Sequence, residues 1–188
     1  MQTMPESRLK LTIEDYELFP DDGRRHELVD GEHVVTPSPN LRHQLVVGAL
    51  YVALREVVSA KGLGTVVLAP MDVTLSPNDV VQPDLLLVSN ERRGLLAARV
   101  DGPPDLVIEV ASPTSRRTDE LLKRRAYERF GVDELWIVDP DLEVVRIYRR
   151  EGEGFARPLE LSAERGDSVE TPLLPGLRLQ VAAIFAED

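Results

Sequence analysis

One carboxylate interrupts an otherwise unbroken apolar run, Leu106-Val107-Ile108-Glu109-Val110-Ala111, and this stretch limits the possible folds more than any other. A run of this kind reads as a strand buried on both faces, so the fold must place other elements above and below it. A glutamate inside it must be hydrogen-bonded, paired or metal-bound to offset its lost hydration. Alternation along a strand sets Glu109 on the face it shares with Val107 and Ala111, opposite Ile108 and Val110.

The flanking segments supply the covering layers. Thr12 and Asp15 form a capping-box pattern ahead of a short helix over residues 13–19, stopped by Pro20. His26 to Val29 and Glu32 to Val35 flank Asp30-Gly31, a type I′ hairpin signal that places Glu27 on a strand. Over residues 40–61, Leu41, Leu45, Ala49, Val52, Ala53, Leu54, Val57 and Val58 recur at three- and four-residue steps, predicting a long amphipathic helix that ends at Gly62 and Gly64. β-Rich runs over 65–69, 71–75 and 80–88 predict a meander, with a turn at Ser76-Pro77-Asn78-Asp79. Residues 90–104 read as a mobile or partly helical connection.

Ser112 to Ser115 offer cap residues for a helix over 120–130, with Leu121, Leu122, Ala126, Tyr127 and Phe130 on one side. Strands follow over 135–138 and 144–148, with weaker strand patterns over 159–161, 169–171 and 177–181. The whole is an α/β or α+β sandwich: a central mixed β-sheet flanked by helices, with an N-terminal helix and hairpin. At 188 residues, a single domain spanning 1–188 is expected.

Composition sets further bounds. No apolar run approaches the ~20 residues that a membrane helix needs. Residues 1–10 lack the apolar segment of a secretory signal, and the absence of cysteine removes disulfides, thiolate metal sites and a cysteine nucleophile. The chain is read as cytoplasmic, with no membrane contact. Its formal charge of -11 argues against binding nucleic acid through a general positive field. A local basic stretch, Arg116, Arg117, Lys123, Arg124, Arg125 and Arg129, offsets that charge within a cleft; a solvated helix face gives the same pattern.

Asp84 follows Pro83 and opens the apolar run Leu85-Leu86-Leu87-Val88, a second carboxylate at the mouth of a buried strand. If its strand neighbours that of Glu109, the two carboxylates converge into a site for a hard cation such as Mg²⁺ or Mn²⁺. Lys123, on the helix that follows, is placed to position an attacking water or to stabilise charge developing on phosphoryl oxygens. The plain alternatives are a strand-start aspartate satisfied by backbone amides and an ordinary surface lysine.

The strings Glu27-Leu28-Val29-Asp30-Gly31-Glu32, Arg42-His43-Gln44, Val81-Gln82-Pro83-Asp84-Leu85, Leu106 to Thr114 and Tyr127 to Pro140 resemble the Uma2 family, formerly DUF820, of the PD-(D/E)xK restriction-endonuclease-like superfamily. The resemblance covers residues 11–185 and implies a restriction-endonuclease-like fold. By it, Pro83-Asp84 is the PD element and Glu109 the second acidic position. The superfamily's lysine, two residues after that glutamate, falls here on Ala111; Lys123 matches a migrated lysine that returns to the site from the next helix. Glu27 matches the family's early glutamate, as an additional metal ligand or a water-orienting base. His43, Gln82 and Tyr127 are supporting residues: His43 for phosphate contact or proton transfer, Gln82 lining the cleft, and Tyr127 on the Lys123 face, where core packing explains it equally well.

The implied function is divalent-metal-dependent hydrolysis of DNA phosphodiester bonds by a homodimeric endonuclease, with Asp84 and Glu109 binding Mg²⁺ or Mn²⁺, and Lys123 and Glu27 assisting. The alternative is a non-catalytic nucleic-acid or protein interaction module on the same scaffold. A third reading is an enzyme acting on a small phosphorylated molecule in a narrow cleft.

Overall fold

The computed structural model describes residues 9–36, 38–111 and 119–186. Helix α1 (Ile13–Tyr16) opens with the expected reciprocal cap, Thr12 N–H donating to Asp15 Oδ2 at 2.8 Å, and is shorter than predicted because the chain passes into turns up to Phe19. The hairpin of β1 (Arg25–Val29) and β2 (Glu32–Thr36) turns on Asp30 and Gly31, both at positive φ (51° and 76°), as an Asp-Gly type I′ turn requires.

Helix α2 (Leu41–Lys61) is capped at its start by Asn40 Oδ1, which accepts from His43 N–H at 2.8 Å, and closed by Gly62 in the left-handed region. Its buried stripe is His43, Val46, Val47, Leu50, Leu54 and Val58, whereas Leu41, Leu45 and Val52 face outward, contrary to expectation. Apolar residues surround this helix on most sides, so spacing alone does not fix which stripe is covered.

The expected meander is replaced by a split. β3 (Gly64–Leu68) pairs antiparallel with β6 (Leu85–Ser89), while β4 (Val73–Ser76) forms a hairpin with β5 (Asp79–Val81). The run over 80–88 is therefore two strands in two different sheets, broken at Gln82-Pro83-Asp84, where proline removes a ladder donor. β7 (Val100–Asp101) follows a 3₁₀ turn over Asn90–Leu95, so the connection over 90–104 is partly helical and also adds a strand. The smaller sheet has the order β2-β1-β5-β4-β7.

The larger sheet, order β11-β10-β9-β8-β6-β3, is built around β8 (Leu106–Val110), which pairs antiparallel with β6 and parallel with β9 (Glu134–Asp139). β10 (Val144–Glu151) continues it and carries β11 (Gly154–Phe155) and β12 (Leu159–Ser162) along its outer side. The predicted caps Ser112 to Ser115, and Arg116 and Arg117, lie outside the described residues. The helix expected over 120–130 is a π-turn, Asp119–Lys123, running into α3 (Arg124–Phe130). The wider π-turn shifts the phase of the side chains, so Leu121 and Leu122 are exposed while Lys123, Ala126 and Tyr127 are buried. β13 (Ser168–Val169) and β14 (Leu179–Gln180) form a small ribbon, and α4 (Val181–Phe185) begins on the last residue of the weak strand pattern over 177–181.

β8 is buried along its whole length, and the two sides of the large sheet carry separate apolar clusters. α2 covers Leu85, Leu87, Leu106, Ile108 and Val110; the small sheet and α3 cover Leu86, Val107, Leu135 and Ile137. Glu109 belongs by alternation to the second side, facing the small sheet.

Gly64 pairs with Ser89, and a Cβ there would collide with the Val88 carbonyl oxygen and the Ser89 Cα. Gly64→Ala is expected to lower the unfolding free energy by about 1–3 kcal/mol through this overpacking. Denaturant unfolding should show a reduced midpoint with an unchanged slope.

Candidate active site

Four elements converge where the two sheets meet. β1 brings Arg25 and Glu27, the Gln82-Pro83-Asp84 crossing brings Asp84, β8 brings Glu109, and the π-turn brings Lys123. The antiparallel register pairs Leu85 with Ile108, so the next step outward sets Asp84 opposite Glu109. Asp84, Glu109, Glu27 and Lys123 are all 3% exposed or less. Such burial is tolerated only because each group is paired.

Lys123 is the bridge. Its Nζ lies 2.9 Å from Glu27 Oε1, 3.2 Å from Glu109 Oε1 and 3.3 Å from Glu109 Oε2. Tyr127, one helical turn on, donates its hydroxyl to Glu109 Oε1 at 2.6 Å, so it both packs in the core and supports the site. Glu27 Oε1 also accepts the Gln82 backbone N–H at 2.7 Å, and Thr36 Oγ1 donates to Glu27 Oε2 at 3.4 Å. The Gln82 side chain turns away from these carboxylates: its Nε2 donates to Asp72 Oδ1 at 2.9 Å and to the Tyr16 hydroxyl at 3.2 Å, on the wall of a cavity of about 570 Å³.

Asp84 has its own partners. Arg25 Nη1 donates to Oδ1 at 2.6 Å, His43 Nε2 lies 3.1 Å from Oδ2, and the Val110 backbone N–H donates to Oδ2 at 2.9 Å. Burial on its own would raise the Asp84 pKa; His43 and Arg25 outweigh it and hold the carboxyl down at about 2. Burial also opposes the Arg25 charge, but the carboxylates of Asp84, Glu109 and Glu27 prevail and push its pKa up. Among the described residues, His43 Nδ1 is buried without a hydrogen-bond partner.

Arg25 is the residue that sequence reasoning missed. In Arg24-Arg25-His26 nothing distinguishes it from a surface arginine; only strand alternation from Glu27, which puts both on one face, hints at it. Of the basic stretch, Arg129 leaves the site and pairs with Asp79 at 2.8 Å, while Arg125 is exposed.

Other buried carboxylates have structural work. Asp105 accepts the Ser89 N–H at 2.6 Å; Glu134 accepts from Trp136 Nε1 at 2.6 Å and Arg149 Nε at 2.8 Å; Asp139 Oδ1 accepts two N–H groups of its own turn. Burial alone therefore does not mark the site. What marks it is the gathering of three carboxylates from three elements around two cations. Among the described residues no group of three His, Asp or Glu side chains is arranged to hold a metal ion, and ion pairs and hydrogen bonds engage the acidic oxygens. The donor chemistry nevertheless suits a hard divalent cation, because the groups gathered from three elements are carboxylate oxygens.

Residues 13–182 match the model of the Uma2 family, described as "Putative restriction endonuclease". Among solved structures, the chain is similar to a "putative nuclease belonging to DUF820" from Anabaena variabilis ATCC 29413, with a TM-score of 0.81 and 20% identity over 93% of this chain and 97% of that one. The type IIG restriction endonuclease BpuSI aligns with a TM-score of 0.42 and 14% identity, covering 69% of this chain and 15% of that one. No curated protein matches the chain. The first likeness shows a shared fold, the mixed sheet flanked by helices that the sequence implied.

Two measurements test the electrostatics. Lys123→Met leaves Glu27 and Glu109 buried without their common cation, and is expected to cost roughly 3–5 kcal/mol of stability, read by denaturant titration. Asp84 has a folded pKa below its ordinary 3.8, so its contribution is complete above that value and is lost as pH falls toward 2. Between about pH 5 and pH 2, the wild type should lose on the order of 2 kcal/mol more stability than Asp84→Asn.

Proposed function

The chain belongs to the Uma2 family, and from that premise we propose that it is a divalent-metal-dependent endonuclease hydrolysing DNA phosphodiester bonds at the Asp84, Glu109, Lys123 and Glu27 cluster. The observation that carries this reading is the meeting of Asp84 and Glu109 at the end of neighbouring strands, with one lysine between Glu109 and Glu27.

Asp84 and Glu109 would hold Mg²⁺ or Mn²⁺. Bound there, the ion supplies Lewis-acid polarisation of a phosphoryl oxygen and a water of lowered pKa. The remaining work falls to the protein's own side chains. Lys123 provides a fixed ammonium in a water-poor pocket, where it stabilises negative charge on the phosphoryl oxygens more effectively than in bulk water. Glu27 holds Lys123 from the opposite sheet and can accept a proton from an attacking water. Tyr127 fixes Glu109 Oε1, and His43 and the Val110 N–H orient Asp84 Oδ2.

The family description supports DNA as the substrate of this proposal, and a two-fold dimer is the assembly proposed, because cutting both strands requires two such centres. No helix among the described residues is long and apolar enough to cross a membrane, and a cytoplasmic location is part of this proposal.

Two observations favour the second reading, an interaction module on the same fold. The acidic side chains already have internal partners, and the chain carries a formal charge of -11. The two readings separate in one experiment. Calorimetric titration of Mg²⁺ and Mn²⁺, followed by plasmid nicking, should show binding and nicking in the wild type and a fall of about 100-fold or more in nicking by Glu109→Ala. A wild type that binds DNA equally well with and without metal, and nicks nothing, is an interaction module.

A further inference from the structure

Both oxygens of Asp84 already have partners. Oδ1 accepts from Arg25, and Oδ2 accepts from Val110 N–H and contacts His43 Nε2. If Asp84 is to hold a cation, as the proposed reaction requires, the acceptor site left on Oδ1 lies beside a guanidinium whose charge opposes the ion, so a partner must give way, and the three differ in their freedom to do so. The Val110 N–H is main chain at the end of β8, and the next residue is pinned by its own bond, Ala111 N–H to Val138 O at 2.7 Å. His43 is a buried ring on the first turn of a 21-residue helix, behind the Asn40 cap. Arg25 is the first residue of β1, on a long side chain that is 22% exposed, so its guanidinium reaches water without disturbing the backbone.

Arg25 also carries the right group for a second role. A guanidinium binds phosphate through two parallel hydrogen bonds as well as it binds a carboxylate. Strand alternation puts Arg25 on the same face of β1 as Glu27, and its ion pair with Asp84 at 2.6 Å sets it beside the carboxylates where a phosphodiester must approach to be cleaved.

We propose that Arg25 is a place-holding cation that occupies Asp84 in the free protein and transfers to the substrate phosphate when a divalent ion takes its position. This rests on the nuclease reading above and adds a substrate-binding residue to it. No covalent bond changes in the exchange: one ion pair, Arg25 with Asp84, is replaced by two, the ion with Asp84 and Arg25 with phosphate.

The exchange makes an energetic demand. The ion and Arg25 compete for one carboxylate, while phosphate draws Arg25 away, so phosphate and ion must strengthen each other's binding, and by the same factor in both directions. Free protein therefore keeps Asp84 paired with Arg25 and holds metal weakly; DNA relieves the competition. Removing the guanidinium should give the free protein the higher metal affinity that the wild type reaches only with DNA.

The test is calorimetric titration of Mn²⁺ into wild type and Arg25→Gln, each alone and saturated with a short phosphorothioate duplex that resists hydrolysis, with duplex-only titrations subtracted. Alone, Arg25→Gln should bind Mn²⁺ on the order of tenfold more tightly than wild type, the factor carried by one charge-assisted hydrogen bond. With duplex, the wild type should gain affinity until the two proteins agree within about twofold. The wild-type comparison needs no variant, so it stands even if Arg25→Gln folds poorly. Equal wild-type affinity with and without duplex, or an Arg25→Gln that binds no tighter alone, overturns the place-holder role and leaves the nuclease reading intact. A wild type that binds no Mn²⁺ under either condition overturns both.

Discussion

The ammonium of Lys123 is the interaction on which the rest of the arrangement depends. It is the shared partner of Glu27 from the small sheet and Glu109 from the large sheet, and it comes from a third element, the π-turn before α3. Two buried carboxylates from opposing layers repel each other across a low-dielectric gap, and a lysine between them converts that repulsion into a cross-link. Lys123 shares the buried side with Ala126 and Tyr127 at ordinary three- and four-residue helical spacing, and the π-turn that ends on it delivers its side chain to that face. The same geometry aims the Tyr127 hydroxyl at Glu109 and leaves Leu121 and Leu122 outside.

The crossing at Gln82-Pro83-Asp84 explains why the site lies at the seam between sheets. β5 ends in one sheet and β6 begins in the other, so three residues must pass between layers with few ladder bonds of their own. Their polar groups are taken up by the site instead: Gln82 N–H goes to Glu27, and the Asp84 carboxylate collects Arg25, His43 and Val110 N–H. The Asp84 backbone carbonyl accepts from Ala69 N–H at 3.0 Å, which ties the crossing to the residue after β3. A backbone irregularity that needs partners and a carboxylate that needs donors are satisfied together.

Much of this was legible before the structure. Asp30-Gly31 identified the hairpin because few other pairs accept positive φ at both positions, and Asn40 with Gly62 bounded α2 because each end of a helix needs a particular chemistry. Glu109 stood out because a charge inside an apolar strand demands a partner. The illegible parts share one cause: they depend on which of several equivalent neighbours is covered. The apolar excess on α2 hid the stripe that actually packs, and the continuous apolar character of residues 80–88 hid a change of sheet that only Pro83 signalled. Arg25 was hidden for the same reason, since an arginine beside another arginine reveals nothing about which of them turns inward.

The acidic character of the chain weighs against a partner made of phosphates only until the cluster is set beside it. A net charge of -11 is spread over the whole surface, where salt screens it within about 10 Å. Inside the seam, Asp84, Glu109 and Glu27 bring carboxylate oxygens from three elements together where little water reaches to disperse their charge. A site of that kind attracts a cation more strongly than it attracts a phosphate. On the proposed reading the ion and the Arg25 guanidinium supply positive charge at the point of cleavage, and ion and phosphate strengthen each other there. An acidic protein can then act on a polyanion through local charge, provided that the cation and the anion arrive together.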